Sequence, residues 1–245
     1  MTSRLSLLLL GLVGPACLSA CIIVDEADAP VREIVVEREV IVETGPAQDD
    51  RMNATLWAQQ AVEYKATTDG IYALAGLRLE EALADPDWTA APDLQGEGYQ
   101  NLPPAIILDA DETVLDNTPY AAADVLEGTG FDEARWNAWA GAGVANLAAL
   151  GFPMGGNVDT LLMKREQPDW GSAKSTRWAV VAEDYRILLM LGDNLGDFTD
   201  DYKGSPAERQ AVYDAHAGKW GREWIALPNP GYGSWESAPF GHDYS

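Results

Sequence analysis

Four acidic residues follow an apolar segment in the stretch AIILDADETVLDN, residues 105–117; they are Asp109, Asp111, Glu112 and Asp116. Residues i and i+2 of an extended chain point to the same side, so Asp109 and Asp111 would bring two carboxylates together. Such carboxylates repel each other unless a cation separates them, and Mg²⁺ prefers oxygen ligands. On its own, an Asp-x-Asp pattern is more typical of a solvated turn or a helix cap. The pattern therefore indicates a magnesium site only if further acids join it.

A second segment repeats this pattern of an apolar run that ends in acids. In ILLMLGDNLGDF, residues 187–198, Asp193 and Asp197 follow the run. Ligands of open parallel sheets bind beyond the carboxyl ends of the strands. If the two apolar runs form adjacent parallel strands, the two groups of acids converge on one place. The sequence then favours a shared metal site over two solvated turns.

Further apolar runs predict the elements that position these acids. Short runs without alternation are typical of strands buried on both faces of a parallel sheet. These runs lie at residues 105–108, 158–163, 186–191 and 223–227. Helical spacing predicts one or two helices over 50–84, with a break near Gly70, and then a loop over 85–104. Ser172 is expected to cap a later helix, and Ser205 to begin a capping box. Together the elements predict an α/β fold with a parallel sheet flanked by helices.

Four motifs make the sequence similar to a known family. They are LDADETVLDNTPY (108–120), SAKSTRW (172–178), GDNLGDF (192–198) and LPNPGYGSWE (227–236). With them, the chain resembles the haloacid dehalogenase (HAD) superfamily over residues 56–239, and within it the bacterial lipoprotein 5′-nucleotidases, or class C (class B-like) acid phosphatases. The resemblance implies a HAD-like, Rossmannoid parallel sheet in a phosphatase domain at 51–245, with an N-terminal helical segment and cap-like helices at about 118–143.

The resemblance also implies roles for the charged residues. Asp109 would be the nucleophile that takes the phosphoryl group, and Asp111 would act as general acid and then as general base. Mg²⁺ would be held by Asp109, the main-chain carbonyl of Asp111, and Asp193. Lys174 would pair with both the phosphate and the nucleophile. The implied reaction is hydrolysis of a phosphomonoester through an aspartyl-phosphate.

Other residues would support this site or bind the substrate. Asp197 would orient metal-bound water, while Glu112, Thr113 and Asp116 would cap and support the turn after the first strand. Aromatic side chains grip the nucleobase in this family, although aromatic residues are more often part of a core. The candidates are Tyr120, Trp136, Trp139, Tyr232 and Trp235. The implied substrate is a small phosphomonoester, above all a nucleoside 5′-monophosphate.

One motif of the superfamily is absent from the sequence. Members carry a Thr or Ser at the end of a second strand, where its hydroxyl and the next backbone N–H bind the phosphate. Here FDEARWNAWAGAG (131–143) passes directly to VANLAALGFP (144–153), so we expect one core strand–helix unit to be missing. Two alternatives stay open: a deletion that compromises the sheet, or a rearrangement in which another strand, such as 31–43, fills the gap. The alternative function is therefore a catalytically impaired, mononucleotide-binding lipoprotein.

The N-terminal segment is typical of an exported bacterial lipoprotein. Residues 1–20 combine Arg4, an apolar stretch and small residues before Cys21, and the stretch is too short and too interrupted to span a membrane. The ending LSAC resembles the lipobox, which predicts lipidation of Cys21, a tether over 21–50 and a place in the bacterial cell envelope. Ile22, where an acidic residue would resemble an inner-membrane retention signal, favours the outer membrane. An ordinary signal peptide with an incidental cysteine is the alternative.

The charge of the chain excludes one class of partner. There are 16 Lys and Arg against 39 Asp and Glu, a net charge of −23 at pH 7. Long nucleic acids would be repelled, whereas a small anion could still bind because salt screens charges beyond roughly 8 to 10 Å. No cysteine follows Cys21, so the mature chain cannot form an internal disulfide. A structural envelope lipoprotein, whose acids only solvate loop ends, stays open as a third function.

Overall fold

The structure, a computed structural model, describes residues 49–154 and 158–243. The predicted signal peptide, Cys21, the segment 31–43 and the tether up to residue 48 lie outside the described residues. Within the described part, no helix has both the length and the apolar character needed to cross a membrane.

Three parallel strands form the sheet, in the order β1-β2-β3. The strands are β1 (Pro104–Leu108), β2 (Arg186–Gly192) and β3 (Trp224–Ala226). β2 lies between the other two and all of its residues are buried, as expected for a strand covered on both faces. β1 is an edge strand of this sheet, and its Ile106 is 43% exposed. The predicted strands at 105–108, 186–191 and 223–227 are confirmed, and so is the α/β fold.

Helices cover the sheet on both faces. The α-helices of the described part are α1 (Arg51–Gln60), α2 (Val62–Ala84), α3 (Thr118–Glu127), α4 (Glu133–Ala149), α5 (Ser175–Asp184), α6 (Pro206–Ala215) and α7 (Ser234–Ser237). Short 3-10 helices lie at Tyr99–Asn101, Leu195–Asp197 and Ala238–Phe240. On one face, Ala82 of α2 packs in a buried cluster with Leu189 and Leu191. On the other, Ala182 of α5 packs with Met190.

The N-terminal helical segment is confirmed, but its predicted break near Gly70 is wrong. α2 runs through Gly70 without interruption, and the break falls at Ala61, whose backbone is extended with ψ 124°. A glycine costs a helix only about 0.5–1 kcal/mol relative to alanine. A helix of 23 residues tolerates that cost, so a lone glycine is a weak signal for a helix end.

The strand predicted at 158–163 is also wrong, because these residues form no strand. The polar residues inside the run bind nearby backbone instead. The Asp159 carboxylate accepts a hydrogen bond from the N–H of Leu161 at 3.1 Å, and the Thr160 hydroxyl donates to the carbonyl of Pro153. Side-chain bonds of this kind compete with a strand ladder for the backbone.

One of the two predicted helix caps is correct. Ser205 accepts a hydrogen bond from the N–H of Glu208 and completes a capping box at the start of α6. Ser172 does not cap α5, which begins at Ser175. The carboxylate of Asp200 takes that place, since it accepts hydrogen bonds from the N–H of Lys174 at 3.0 Å and from Ser175. A residue distant in the sequence thus replaces the local cap.

Helices α3 and α4 occupy the range 118–143 in which cap-like helices were predicted, and their role as a cap stays a prediction. α4 continues through the junction between residues 143 and 144 and ends at Ala149, so residues 144–149 extend this helix rather than begin another. Among the residues that the structure describes, β1 has a strand partner on one side only. The loss of a strand–helix unit from an ancestral sheet stays a prediction.

Candidate active site

The ends of β1 and β2 bring the two acidic segments together. Asp109 directly follows β1, and its N–H donates to the carbonyl of Leu191 at 2.9 Å, which extends the pairing of the strands by one residue. Asp193 directly follows β2. Because the strands are parallel, both residues lie at the carboxyl edge of the sheet. The convergence predicted from the sequence is confirmed in the structure.

Three carboxylates form the centre of the site. One oxygen from each of Asp109, Asp193 and Asp197 lies within 4.8 Å of the others. The ammonium of Lys174 donates to the carboxylate of Asp109 and, at 2.7 Å, to that of Asp197. This group of oxygens has the chemistry that a divalent metal ion prefers. Lys174 supplies a single positive charge against the three carboxylates.

The backbone around Asp197 holds its carboxylate in place. Asp197 ends a short 3-10 helix, and its Oδ2 accepts a hydrogen bond from the N–H of Asn194 at 2.8 Å. Gly192 lies so close to the Asp197 side chain that any β-carbon at position 192 would overlap it. Glycine is therefore required at the end of β2 for steric reasons.

Asp193 is fixed by two neutral side chains. The amide of Asn229 donates to Oδ2 of Asp193 at 2.8 Å, and the hydroxyl of Thr113 lies 3.5 Å from Oδ1. The sequence placed Thr113 among the residues expected to support the site, but it did not single out Asn229. Asn229 lies inside the motif LPNPGYGSWE, which was the only signal that could have found it.

The remaining acids of the first segment have different partners. The carboxylate of Asp111 accepts a hydrogen bond from the Asn117 amide at 2.9 Å. Glu112 accepts from the backbone N–H of Asn117 at 3.0 Å and from the hydroxyl of Tyr232. Asp116 accepts from the N–H of Thr118 at 2.9 Å, at the start of α3. The first acidic segment thus combines one member of the carboxylate cluster, two carboxyls bound by Asn117, and a helix cap.

The turn that carries these acids has an unusual backbone. Glu112 has φ 55°, in the left-handed region that residues other than glycine seldom adopt. Its N–H donates to the carbonyl of Leu115 at 2.9 Å, which closes the turn. Backbone strain of this kind persists only where the surroundings fix it, and it concentrates at functional sites.

Burial and mutual repulsion raise the pKa values of several carboxyl groups in the site. Burial, followed by the charges of Asp197 and Asp109, raises the pKa of Asp193 to about 7. Burial also raises the pKa of Asp111 and Asp197, and it raises the pKa of Glu112 to about 8. Their surroundings therefore disfavour the ionised forms, and a divalent cation would relieve this penalty for the carboxylates that it contacts.

The pKa of Lys174 is raised although its side chain is largely buried. Burial lowers its pKa, but the charges of Asp109 and Asp197 more than offset this effect, so the pKa lies above its ordinary value. Lys174 therefore stays positively charged near neutral pH. The structure thus brings together Lys174, Asp109, Asp193 and Asp197 from the predicted residues.

Most of the predicted aromatic residues form one cluster beside the acids. The Trp136 ring lies 5.3 Å from that of Tyr120 and 6.3 Å from that of Tyr232. Trp139 lies 6.0 Å from Tyr120, and its indole N–H donates to the side-chain oxygen Oδ1 of Asn117 at 2.7 Å. Through Asn117 this cluster connects to Asp111.

Trp235 is the exception among the aromatic candidates. It lines a separate cavity of about 400 Å³ together with Tyr213 and Trp220, and Asp193 borders the same cavity. The structure therefore offers two aromatic surfaces near the carboxylates, and four of the five candidates contribute to the first.

A parallel sheet with an aspartate–lysine cluster at the carboxyl ends of its strands defines the class of HAD-like α/β proteins. The sequence model of the HAD superfamily, subfamily IIIB (acid phosphatase), matches residues 32–149 and 141–235. The chain belongs to this family, whose members hydrolyse phosphomonoesters and typically use a divalent metal. The two matched segments overlap inside α4, where the sequence indicated a missing strand–helix unit.

Two solved structures are similar to this chain. The class C acid phosphatase from Bacillus anthracis has a TM-score of 0.64 and 28% sequence identity, with 80% of this chain and 90% of that chain covered. The crystal structure of the class C acid phosphatase from Bacillus anthracis with tungstate bound has a TM-score of 0.63 and 27% identity, with the same coverage. The predicted relation to the class C acid phosphatases is confirmed.

Replacing Gly192 with alanine tests the steric requirement beneath Asp197. We expect Gly192→Ala to destabilise the protein by about 1–3 kcal/mol, because the new methyl group must displace a buried side chain. It should also reduce the rise in melting temperature that Mg²⁺ causes, since Asp197 belongs to the carboxylate cluster. Gly218→Ala is the matched control, because a β-carbon there would meet no atom within 4 Å. Equal behaviour of the two variants in thermal unfolding with and without Mg²⁺ would contradict the prediction.

Proposed function

We propose that this protein is a Mg²⁺-dependent acid phosphatase that hydrolyses nucleoside 5′-monophosphates at the carboxyl edge of its sheet. The carboxylate of Asp109, paired with Lys174 and close to Asp193 and Asp197, is the observation that carries the proposal. A similar protein, the class C acid phosphatase from Bacillus anthracis, has been crystallised with tungstate, a tetrahedral oxyanion like phosphate. The family supports phosphomonoester hydrolysis; the metal, the nucleotide and the residue roles are proposed here.

The donor set suits Mg²⁺. Asp109 and Asp193 would hold the ion, as the resemblance implied. Asp197, expected from the sequence only to orient metal-bound water, would join them, because the three offer carboxylate oxygens within 4.8 Å of one another and hard cations prefer such ligands. The main-chain carbonyl of Asp111 is a further proposed ligand. When bound, Mg²⁺ would neutralise charge on the phosphate, which otherwise repels an anionic nucleophile.

The proposed reaction has two steps that use the same pair of carboxyl groups. In the first, an oxygen of Asp109 attacks phosphorus, the bond to the ester oxygen breaks, and Asp111 gives its proton to the departing alcohol. In the second, Asp111 takes a proton from water, the water oxygen attacks phosphorus, and the bond to Asp109 breaks. Phosphate leaves, and both carboxyl groups return to their starting forms.

The neighbouring residues orient this pair. Lys174 contacts the Asp109 carboxylate and offsets its repulsion of the incoming phosphate. Asp197 holds Lys174 from the other side at 2.7 Å. Asn117 donates to Asp111 at 2.9 Å and so fixes the direction of its carboxyl group. Positioning of this kind contributes much of the rate in phosphoryl transfer.

Removing the nucleophile or the metal should abolish turnover. We expect Asp109→Asn to lower kcat/KM for a phosphomonoester by at least about 10³-fold, because an amide is a far weaker nucleophile. EDTA should abolish phosphate release and added Mg²⁺ should restore it. Asp184→Asn, a change at an exposed position on α5, serves as the control and should retain full activity.

The same assay distinguishes the alternative, an impaired mononucleotide-binding protein. That alternative has one observation in its favour, because in the described residues no second strand beside β1 supplies a phosphate-binding hydroxyl. Calorimetry that detects Mg²⁺-dependent binding of a nucleoside monophosphate, with no phosphate release from the unmodified protein, would favour it over the enzyme. Absence of both binding and release would favour a structural envelope protein.

The proposal of a nucleotide substrate rests on the aromatic cluster. Tyr120, Trp136, Trp139 and Tyr232 lie together and connect to Asp111 through Asn117, so a base held among them would lie on the leaving-group side of the site. Tyr232 is 40% exposed and Trp139 is 38% exposed. Both rings are therefore accessible to a ligand.

Shortening one aromatic side chain should affect nucleotides selectively. We expect Trp136→Ala to raise KM for AMP by about 5- to 100-fold, as lost stacking on one base predicts, and to leave KM for glycerol 2-phosphate nearly unchanged. Trp235→Ala, which alters the separate cavity, is the comparison. If Trp235→Ala raised KM for AMP as much as Trp136→Ala, the base would bind in that cavity and the assignment would be wrong.

The location of the protein is a further proposal, based on the sequence outside the described residues. The segment LSAC favours lipidation of Cys21, and Ile22 after it favours the outer membrane of a bacterial envelope. Both lipid anchoring and the choice of membrane are therefore properties of the N-terminal segment alone.

Changing Cys21 should release the protein from the membrane. We expect Cys21→Ser, expressed in a bacterial host, to move the protein from the detergent-soluble membrane fraction to the soluble periplasmic fraction, because serine cannot carry the thioether-linked lipid. Cys17→Ser is the matched control, since Cys17 would leave with the signal peptide, and it should stay in the membrane fraction. Unchanged partitioning of Cys21→Ser would exclude lipid anchoring at this residue.

A further inference from the structure

We propose that Arg177 binds the phosphate of the substrate and supplies hydrogen-bond donors to its oxygens that Lys174 cannot. This inference rests on the proposed phosphatase function. It assigns to the first turn of α5 a second cation for the same phosphate, three residues after Lys174.

The position of Arg177 places it next to the carboxylate cluster. Residues three apart on a helix lie on the same face, so Arg177 and Lys174 share the side of α5 that faces the acids. Its guanidinium donates to the carbonyl of Ala173, the residue directly before Lys174. Burial lowers the pKa of Arg177, and the charges of Asp109, Asp200 and Asp197 oppose that shift. Arginine remains positively charged throughout the range in which enzymes work. The guanidinium is therefore a second positive charge within the electrostatic field of the nucleophile.

The donors of Arg177 are poorly used within the protein itself. One terminal nitrogen donates to the carbonyl of Leu162 at 3.4 Å and the other to that of Ala173 at 3.5 Å, both longer than the usual 2.7–3.2 Å. Its Nε is buried and has no hydrogen-bond partner. A buried donor without an acceptor costs free energy. Rotation of the guanidinium toward an oxyanion would therefore break only weak bonds and would supply the missing acceptor.

The other arginines that the structure describes form shorter hydrogen bonds or ion pairs than Arg177 does. Each of those makes at least one hydrogen bond or ion pair of 3.3 Å or shorter; they are Arg51, Arg78, Arg135, Arg165, Arg186, Arg209 and Arg222. Their guanidinium groups are held by partners within the fold. Arg177 is thus the described arginine whose guanidinium is least held in place. It lies beside a site that needs further hydrogen-bond donors for the phosphate.

The site needs another hydrogen-bond donor for the phosphate because Lys174 already donates to two carboxylates. An ammonium has three N–H groups, and Lys174 uses two of them on Asp109 and Asp197. The phosphoryl group has three peripheral oxygens, and the described sheet has no strand beyond β1 to contribute a hydroxyl at its end. A guanidinium matches two phosphate oxygens at once, because its planar fork forms two parallel hydrogen bonds. Arg177 can therefore satisfy oxygens that Lys174 leaves without donors.

The experiment measures equilibrium binding of inorganic phosphate by calorimetry in the presence of Mg²⁺, together with kcat/KM, for the full chain and its variants. We expect Arg177→Gln to weaken phosphate binding by about 10- to 100-fold, the range for a hydrogen bond to a charged group. Arg177→Lys should recover only part of the loss, because lysine keeps the charge but not the fork. Arg165→Ala is the control: its side chain is 72% exposed, and phosphate binding should not change.

Two readouts separate phosphate binding from a purely structural role. The rise in melting temperature that Mg²⁺ causes should be the same in Arg177→Gln as in the unmodified protein, since Arg177 is not a metal ligand. Glutamine can keep a hydrogen bond to a neighbouring carbonyl, and the more conservative Arg177→Lys provides a second folded variant.

Each outcome decides for or against the inference. Phosphate binding by Arg177→Gln and Arg177→Lys within twofold of the unmodified protein would overturn it, even if the phosphatase activity were present. If the unmodified protein bound phosphate but hydrolysed no ester, the proposed turnover would fail, and the loss of binding in Arg177→Gln would still support a phosphate-binding arginine. Absence of both binding and hydrolysis in the unmodified protein would overturn both proposals.

Discussion

The repulsion among closely spaced carboxylates is the constraint that organises this protein. Asp109, Asp193 and Asp197 hold oxygens within 4.8 Å of one another in a partly buried place, where charges interact more strongly than in water. Lys174 offsets part of this repulsion, and neutral amides direct the oxygens that remain. Asn229 fixes Asp193, and the backbone of a short 3-10 helix fixes Asp197. The surrounding fold thus maintains an arrangement that the charges alone would oppose.

The topology of the sheet explains how such a cluster can be held. α5 leads directly into β2, and a helix that runs antiparallel to the following strand has its N-terminus beside the carboxyl end of that strand. Lys174, directly before α5, therefore reaches the carboxyl end of β2, where its ammonium contacts Asp197. β2 is buried along its whole length, which gives this part of the site a rigid base. β1 brings Asp109 to the same edge, but β1 is itself an edge strand in the described sheet.

The sequence predicted the parts of the fold and site that depend on strong, local patterns. The runs that became β1 and β2 are apolar without interruption, and acids follow each of them directly, so Asp109 and Asp193 could be placed. The run at 158–163 is also rich in apolar residues, but its Asp159 and Thr160 side chains form hydrogen bonds with nearby backbone groups. Composition alone cannot distinguish these cases, because the competing partner is a particular side chain.

The residues that sequence reasoning missed are held by partners distant in the chain. Asp200 caps α5 across 25 residues, whereas capping rules search the positions next to the helix. Asn117 and Asn229 are uncharged, so neither contributes to a pattern of acids. Arg177 lies inside a quoted motif, yet only the structure reveals that its guanidinium lacks short contacts.

Asn117 has a consequence for how this site could change during evolution. Its side-chain oxygen accepts from the Trp139 indole, and its nitrogen donates to Asp111. One planar amide therefore joins the surface that would recognise the departing alcohol to the carboxyl that would protonate it. A mutation that reshaped the aromatic surface to accept a different alcohol would also tilt this amide and misdirect the acid. With these proposed roles, substrate preference and proton delivery would be inherited together, which would favour gradual drift in specificity over abrupt replacement.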